Sequence, residues 1–206
     1  MTATTRPLLL ALLLMQAVAD KVVVPLLDFA GPATADTWQA VNDGVMGGVS
    51  DGRFKITEDK TLEFFGTLSL ENNGGFASVR TKPTELGIEA GDTLVVRVKG
   101  DGREYVVNIY TKSRRMAFSY RAPLPTKKDE WTEVEIPLAD FIPTAFGRRV
   151  QGMGPVAPDQ INGLGFMLSD KKPGPFQMQV EWVKVARTEE RPSPPARLPA
   201  NEALPR

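Results

Sequence analysis

The chain has 206 residues, enough for one ordinary domain with extensions and too few for two comfortable ones. Hydrophobic residues make up 42% of it, so a core can be buried, and 25 Lys and Arg balance 25 Asp and Glu, which removes the basic face that nucleic acid demands. The complete absence of Cys and His excludes disulfides, thiol nucleophiles, Ser-His-Asp triads and most zinc sites. What remains is carboxylate, Lys or Tyr chemistry or an oxygen-ligated metal, and the chain reads as a binder without a cofactor rather than as an enzyme.

The N-terminus has the make-up of an export leader. Arg6 lies in a stretch free of acids, an apolar run from Leu8 to Met15 follows, and Ala17-Val18-Ala19 supplies a small-residue cleavage pattern. Cleavage after Ala19 predicts a periplasmic or secreted product. The alternative is a mitochondrial address, for which a single Arg is a poor fit. The run is too short to span a bilayer, and no later segment is apolar enough to do so, so no transmembrane segment is expected in the mature chain. Residues 1–19 are thus assigned to a signal peptide, 20–186 to one domain, and 187–206, with Pro192, Pro194, Pro195, Pro199 and Pro205, to a disordered Pro-rich tail.

The domain opens on a glycine-rich stretch, Trp38 to Ser50, containing Asn42, Asp43, Gly44, Gly47 and Gly48. A phosphate-cradling loop would need a helix N-terminus or a Lys after it, and neither follows. The residues suit an ordered loop in which Asn and Asp cap their own backbone. Beyond it the hydrophobic period is two. Leu94, Val96 and Val98 alternate with Val95, Arg97 and Lys99, and Tyr105, Val107 and Ile109 with Val106, Asn108 and Tyr110. Thr132, Val134, Ile136 and Leu138 form the next run, and Ala139 to Phe146 suggests one short turn. Leu164, Phe166 and Leu168 follow, then Phe176, Met178, Val180 and Trp182. Pro137 reads as a strand-edge position, and the change of apolar parity at Trp182-Val183 predicts a bulge. Gly74-Gly75, Gly91-Asp92, Gly100-Asp101-Gly102 and Pro173-Gly174-Pro175 are turn chemistry. Many short strands with such punctuation predict an all-β sandwich or jelly roll in a single domain.

The order of these motifs resembles the complex I intermediate-associated protein 30 family. Asn42 to Ser50 (NDGVMGGVS) is similar to its signature, and Gly66 to Arg80 and Val98 to Tyr105 are similar to its second and third blocks. Trp131–Ile136, Ala139–Pro143, Ile161–Leu168 and Gly174–Phe176 fit the rest in order, so the resemblance runs from Leu27 to Val185. It implies a galactose-binding-like jelly-roll β-sandwich and a chaperone-like, non-catalytic factor in respiratory complex I assembly. The partner would be a protein, such as a membrane-complex subunit. The alternative is a carbohydrate-binding module of the same fold, taking a glycan.

From the matching motifs, the binding candidates are Asn42, Asp43, Met46, Arg80, Asp101, Arg103 and Tyr105. Gly44, Gly47, Gly48, Gly74, Gly75, Phe76, Gly100 and Gly102 are assigned to loop architecture. Arg80 is expected either to grip a ligand or to pin the loops through an ion pair with Asp43 or Asp101. Tyr110, Tyr120 and Trp131 are either stacking faces or core. Asp43, Asp51, Glu71 and Asp101 lack the spacing of a calcium loop, so no metal is expected. A glycosidase would need Asp43 and Asp101 to converge in one cleft.

Overall fold

In the computed structural model, residues 20–31, 33–113 and 117–189 are described. Residues 1–19 and 190–206, which carry the expected leader and most of the Pro-rich tail, lie outside them. The alternating runs form two antiparallel sheets packed face to face. One sheet has the order β3 (Asp51–Ile56), β4 (Leu62–Leu68), β13 (Gly174–Glu189), β6 (Thr93–Gly100) and β9 (Trp131–Pro137), and β1 (Asp20–Asp28) also pairs with β13. The other runs β11 (Arg148–Arg149), β10 (Ile142–Ala145), β8 (Phe118–Pro125), β7 (Glu104–Thr111), β12 (Ile161–Leu168), β5 (Ala77–Thr81) and β2 (Trp38–Ala40). This is the jelly-roll sandwich that the period-two pattern predicts.

β13 is the spine of the first sheet. Residues 174–180 pair with β4 and 182–189 with β1, so these two strands share one edge end to end, while β6 takes the other edge over 178–186. The register shifts between Val180 and Trp182. The expected bulge is therefore present, but it lies one residue earlier than the parity change suggests. Trp182 consequently turns outward instead of joining Phe176, Met178 and Val180, and Val183 and Val185 take the buried phase. β13 also continues past Ala186 to Glu189, and Arg187 is tied to Asp92 (2.8 Å) and to the Gly87 carbonyl (3.2 Å). Pro137 ends the edge strand β9, where a missing N–H leaves no ladder bond unmade. Within 139–146, a 3₁₀ turn covers only Leu138–Asp140 and the remainder is β10, because Thr144 and Ala145 pair with Ser119 and Phe118.

The core lies between the sheets. Phe64, Phe176 and Tyr105 meet at ring separations of 4.9 to 6.4 Å, and Trp38 stacks on Phe166 at 6.1 Å. Each such ring contributes about 1.5–3 kcal/mol through removal from water. Five connections each cross from one sheet to the other at a single end of the sandwich: residues 41–50, 69–76, 101–103, 126–130 and 169–173. The register requires this, since Leu68 pairs with Gly174 and Leu168 with both Ala77 and Tyr105. Motifs scattered through the sequence are thereby gathered at one end.

Gly66 is the tightest point of the β3–β4 pairing. Its φ is +151°, and a Cβ there would lie 1.8 Å from the Asp51 carbonyl oxygen, a backbone atom that cannot swing aside. Gly66→Ala is expected to destabilise the chain by about 3 kcal/mol or more, read as a fall in the urea midpoint. A wild-type midpoint would contradict this close approach.

Candidate functional site

The residues singled out in the sequence separate into three places. The first is the signature loop. After β2 the chain makes a 3₁₀ turn, Asp43–Met46, that Gly47 ends in the left-handed region (φ +91°). Asp43 is fully buried beneath this turn. Its Oδ1 accepts the Ser50 amide (2.9 Å), and its Oδ2 accepts the Ser50 hydroxyl (2.6 Å) and the amides of Gly75 (2.7 Å) and Phe76 (3.2 Å). The Ser50 hydroxyl in turn accepts the Ser69 amide at 3.0 Å. A Cβ on Gly48 would sit 2.4 Å from the Asp43 carboxyl carbon, and one on Gly74 would sit 2.6 Å from Oδ2, so both glycines make room for the carboxylate. Asn42 donates to the Gly52 carbonyl (2.9 Å) and accepts the Ser78 amide (3.4 Å). Asn42 and Asp43 thus bind the protein's own backbone, but across to other loops and strands rather than as local caps of the turn they open.

What the clamp exposes is apolar. Val45, Met46, Val49 and Leu70 are 73%, 51%, 52% and 42% exposed, and all four sit on the two loops that Asp43 joins. Met46 was within reach of sequence reasoning because the motif contains it. Val45 and Val49 stand in the same motif and Leu70 in the 66–80 block, but nothing in a period-two reading marks these apolar loop residues as outward.

The second place is a latch at the same end. Arg103 reaches Asp170 with Nε (2.9 Å) and Nη2 (2.7 Å) and the Pro175 carbonyl with Nη1 (3.1 Å). Asp101 accepts the Arg103 amide (3.1 Å), the Tyr105 hydroxyl (3.2 Å) and the Gln177 amide (3.0 Å). Burial opposes ionisation of Asp170, but the Arg103 N–H groups and the Lys172 amide outweigh it and hold its carboxyl below the usual carboxylate range. Burial also pushes the Tyr105 phenol up, with Asp101 adding to it, so this tyrosine stays neutral. Asp170 carries half of this latch, and no sequence pattern marks it. A shallow depression beside the latch is lined by Lys99, Gly100, Asp101, Asp129, Gln177 and Gln179.

The third place is Arg80, which joins neither cluster. Both acids proposed as its partners are occupied as described, and its guanidinium instead lies over the Tyr110 ring at 5.2 Å, on the outer face of the seven-stranded sheet. Tyr120 is core, as 5% exposure and its packing on Phe118 show, whereas Tyr110 and Trp131 face outward. The acids considered for calcium are dispersed: Asp51 pairs with Arg53 and Glu71 stands exposed in the 69–76 connection. Among the described residues, no three Asp or Glu side chains gather as a metal site, and no helix is long and apolar enough to cross a membrane.

A family profile described as Complex I intermediate-associated protein 30 matches residues 27–180. The mouse protein named "Complex I intermediate-associated protein 30, mitochondrial" is 29% identical over 180 residues, covering 75% of this chain and 55% of its own length. Its Drosophila melanogaster namesake is 25% identical, covering 76% and 60%. That of Neurospora crassa is 32% identical over 135 residues, covering 57% and 49%. The chain therefore spans about half the length of these relatives. All three are named mitochondrial, the compartment given above as the alternative to export. Among solved structures, a family 11 carbohydrate-binding module from Clostridium thermocellum, in complex with a β-1,3-1,4-mixed-linked tetrasaccharide, superposes with a TM-score of 0.61 at 19% identity, covering 79% of this chain and 94% of that one. The module of the cellulosomal cellulase Lic26A-Cel5E gives 0.63 at 18%, covering 85% and 99%. At such identities the likeness concerns the fold alone.

Burial by itself would raise the Asp43 carboxyl. The bonds from the Ser50 hydroxyl and from the Gly75, Ser50 and Phe76 amides outweigh it and hold the carboxyl below its ordinary range. A carboxyl depressed in the folded state contributes stability that is present above its unfolded value, about pH 3.9, and is lost as pH falls through the folded one. Asp43→Asn is therefore expected to cost about 2 kcal/mol at neutral pH and to flatten, without abolishing, the loss of stability on acidification, since Asp92 and Asp170 are lowered too. Chemical denaturation at a series of pH values reads this directly, and parallel curves for the two proteins would refute the assignment.

Proposed function

The chain belongs to the complex I intermediate-associated protein 30 family, and from that premise we propose that it is a non-catalytic protein-binding factor, similar to the assembly factors of respiratory complex I. The observation that carries this reading is the apolar tip of the sandwich. Val45, Met46, Val49 and Leu70 stand exposed on loops held rigid from below by Asp43. Four large apolar side chains at one end of a sandwich mark a docking surface for another protein, and a pre-ordered loop lowers the entropy lost when that surface is covered. The motif acids and Arg103 are engaged within the protein, which agrees with a role in shape rather than in reaction chemistry. The mitochondrial relatives favour a subunit of a membrane complex as the partner. In this reading residues 1–19 are a leader removed after Ala19 that carries the 20–186 domain across a membrane, and the Pro-rich segment after β13 is a linker or tail.

A second reading, a carbohydrate-binding module, draws on the fold shared with the family 11 modules and on Trp131 and Trp182, whose rings face outward on the six-stranded sheet. Lys99 and Lys184 lie over those rings at 5.1 and 3.8 Å, so a sugar would have to displace a cation from each. The protein-binding reading requires no such exchange.

Crosslinking in cells that express the tagged full-length chain, followed by gentle membrane extraction, is expected to recover one dominant membrane-complex subunit. Val45→Asp combined with Met46→Asp should reduce that recovery by about tenfold or more while leaving the melting temperature unchanged, because both side chains are exposed. Equal recovery with the variant would sink the proposal. A glycan array bound by the wild type in the absence of any protein partner would favour the second reading.

A further inference from the structure

The outer face of the seven-stranded sheet differs from an ordinary solvated one. One cross-strand row runs Gln39, Arg80, Gly165, Asn108, Arg121 and Ile142 through consecutive pairings. Its centre is recessed. Asn108 and Ser119 are 0% and 2% exposed although they alternate with the core residues Val107, Ile109, Phe118 and Tyr120, and so point away from the core. Gly163 and Gly165 supply no side chains beside them, and both leave little room for one.

The hydrogen bonds of this floor are incomplete in a specific way. Arg121 Nε donates to the Ser119 hydroxyl (3.3 Å), which donates to Asn108 Oδ1 (3.0 Å). Asn108 Nδ2 is buried and has no acceptor. A buried amide N–H without an acceptor is unusual and calls for one. Above the floor two guanidiniums flank this pair: Arg80 lies over the Tyr110 ring at 5.2 Å, and Arg121 reaches the Ser119 hydroxyl. Among the described residues, neither arginine has an acidic partner. Glu104, the acid on this face of β7, lies four residues from Asn108 at the strand's end, about 13 Å away at the rise of a strand. Burial pulls the Arg121 pKa down, with the phenol of Tyr110 acting in the opposite direction, as expected of a cation desolvated without a carboxylate to offset it.

The one buried side-chain group left unpaired among the described residues is this donor, and the charges flanking it are positive. We infer that this recess is an oxyanion-binding site, in which Arg80 and Arg121 close on a carboxylate or phosphate group of a ligand and Asn108 Nδ2 donates to one of its oxygens. Paired guanidiniums are suited to both oxyanions, since each offers a fork of N–H groups to two oxygens. A neutral saccharide would leave both charges desolvated and uncompensated, so the site discriminates against uncharged sugars even though the fold is that of a sugar-binding module. The inference is independent of the apolar tip, which lies on other residues.

The test follows the side-chain N–H resonances of Asn108 and the Nε–H resonances of Arg80 and Arg121 in the intact chain, in low-salt buffer. Inorganic phosphate, trigalacturonate and a neutral mixed-linked β-glucan tetrasaccharide are added in separate titrations. The expected result is saturable, salt-sensitive shifts of these three residues with phosphate or with trigalacturonate in the millimolar range or tighter, and none with the neutral glucan. Whichever anion binds more tightly identifies the source of the oxyanion. Arg80→Gln and Arg121→Gln should each weaken binding about tenfold, and Arg121→Lys should restore part of it by charge alone. Absence of saturation with both anions, an equal response to the neutral glucan, or unchanged affinity in a folded Arg80→Gln/Arg121→Gln double variant would each overturn the inference.

Discussion

The carboxylate of Asp43 carries a negative charge into a fully buried position and is kept there by four donated hydrogen bonds. Three of its donors are backbone amides from two different connections between the sheets. Once it is placed, the 41–50 and 69–76 loops have lost their freedom relative to each other, and the glycines around it lose theirs as well. Gly48 and Gly74 must be bare because the carboxyl group occupies the volume of their side chains. A buried charge satisfied in this way contributes less to overall stability than to the uniqueness of one loop arrangement. The apolar residues that project from those loops stay outward because the polar residues have turned inward.

Much of this architecture is legible in sequence because strand periodicity is a local signal. The runs at Leu94–Val98, Tyr105–Ile109 and Leu164–Leu168 report their inward faces correctly, and all nine of their apolar inward residues are buried. Glycine and proline punctuation places the connections. Legibility fails where one residue's position depends on a partner far along the chain. Trp182 looks like the continuation of Phe176, Met178 and Val180, but β4 leaves β13 at Val180 and β1 joins it from Trp182, so the bulge falls where the neighbours change. Asp170 and Asn108 are invisible for a similar reason. Their roles come from Arg103, 67 positions away, and from a face built by strands that are not sequential. Arg80 is the instructive case: the acids expected as its partners are taken by other groups, and its guanidinium lies over an aromatic ring instead.

The two sheets treat their outer faces differently. On the six-stranded sheet, acids and bases interleave across the rows: Arg97 reaches Glu133 and Glu181, Lys21 reaches Glu135, and Lys55 reaches Glu63. Exposed pairs of this kind contribute little each. Arg97 also lies over Trp131, as does Lys99, and Lys184 lies over Trp182. On the seven-stranded sheet Asn108 and Ser119 are buried on the outer face, and the group left unpaired there is a donor. A sequence with zero net charge thus conceals a local imbalance, because the sum over 206 residues averages a neutralised face with one that is not.

The sandwich separates these features by geometry. The apolar tip is built from connections at one end, where length and composition can change without disturbing a ladder. The recessed face is built from the central strands, where every side chain is fixed by its cross-strand neighbours and the alternation of the pleat. Loops supply a surface that can suit a partner protein, whereas strands supply donors at fixed spacing that suit a small charged group. Both depend on β13 and β12 running antiparallel through the middle of their sheets, since β12 presents Gly165 to the recess and leads through residues 169–173, with the Arg103 latch, into β13. That single connection thereby joins the two sheets at the end where the tip lies. The part-buried Arg103–Asp170 pair ties that connection to the residue preceding β7.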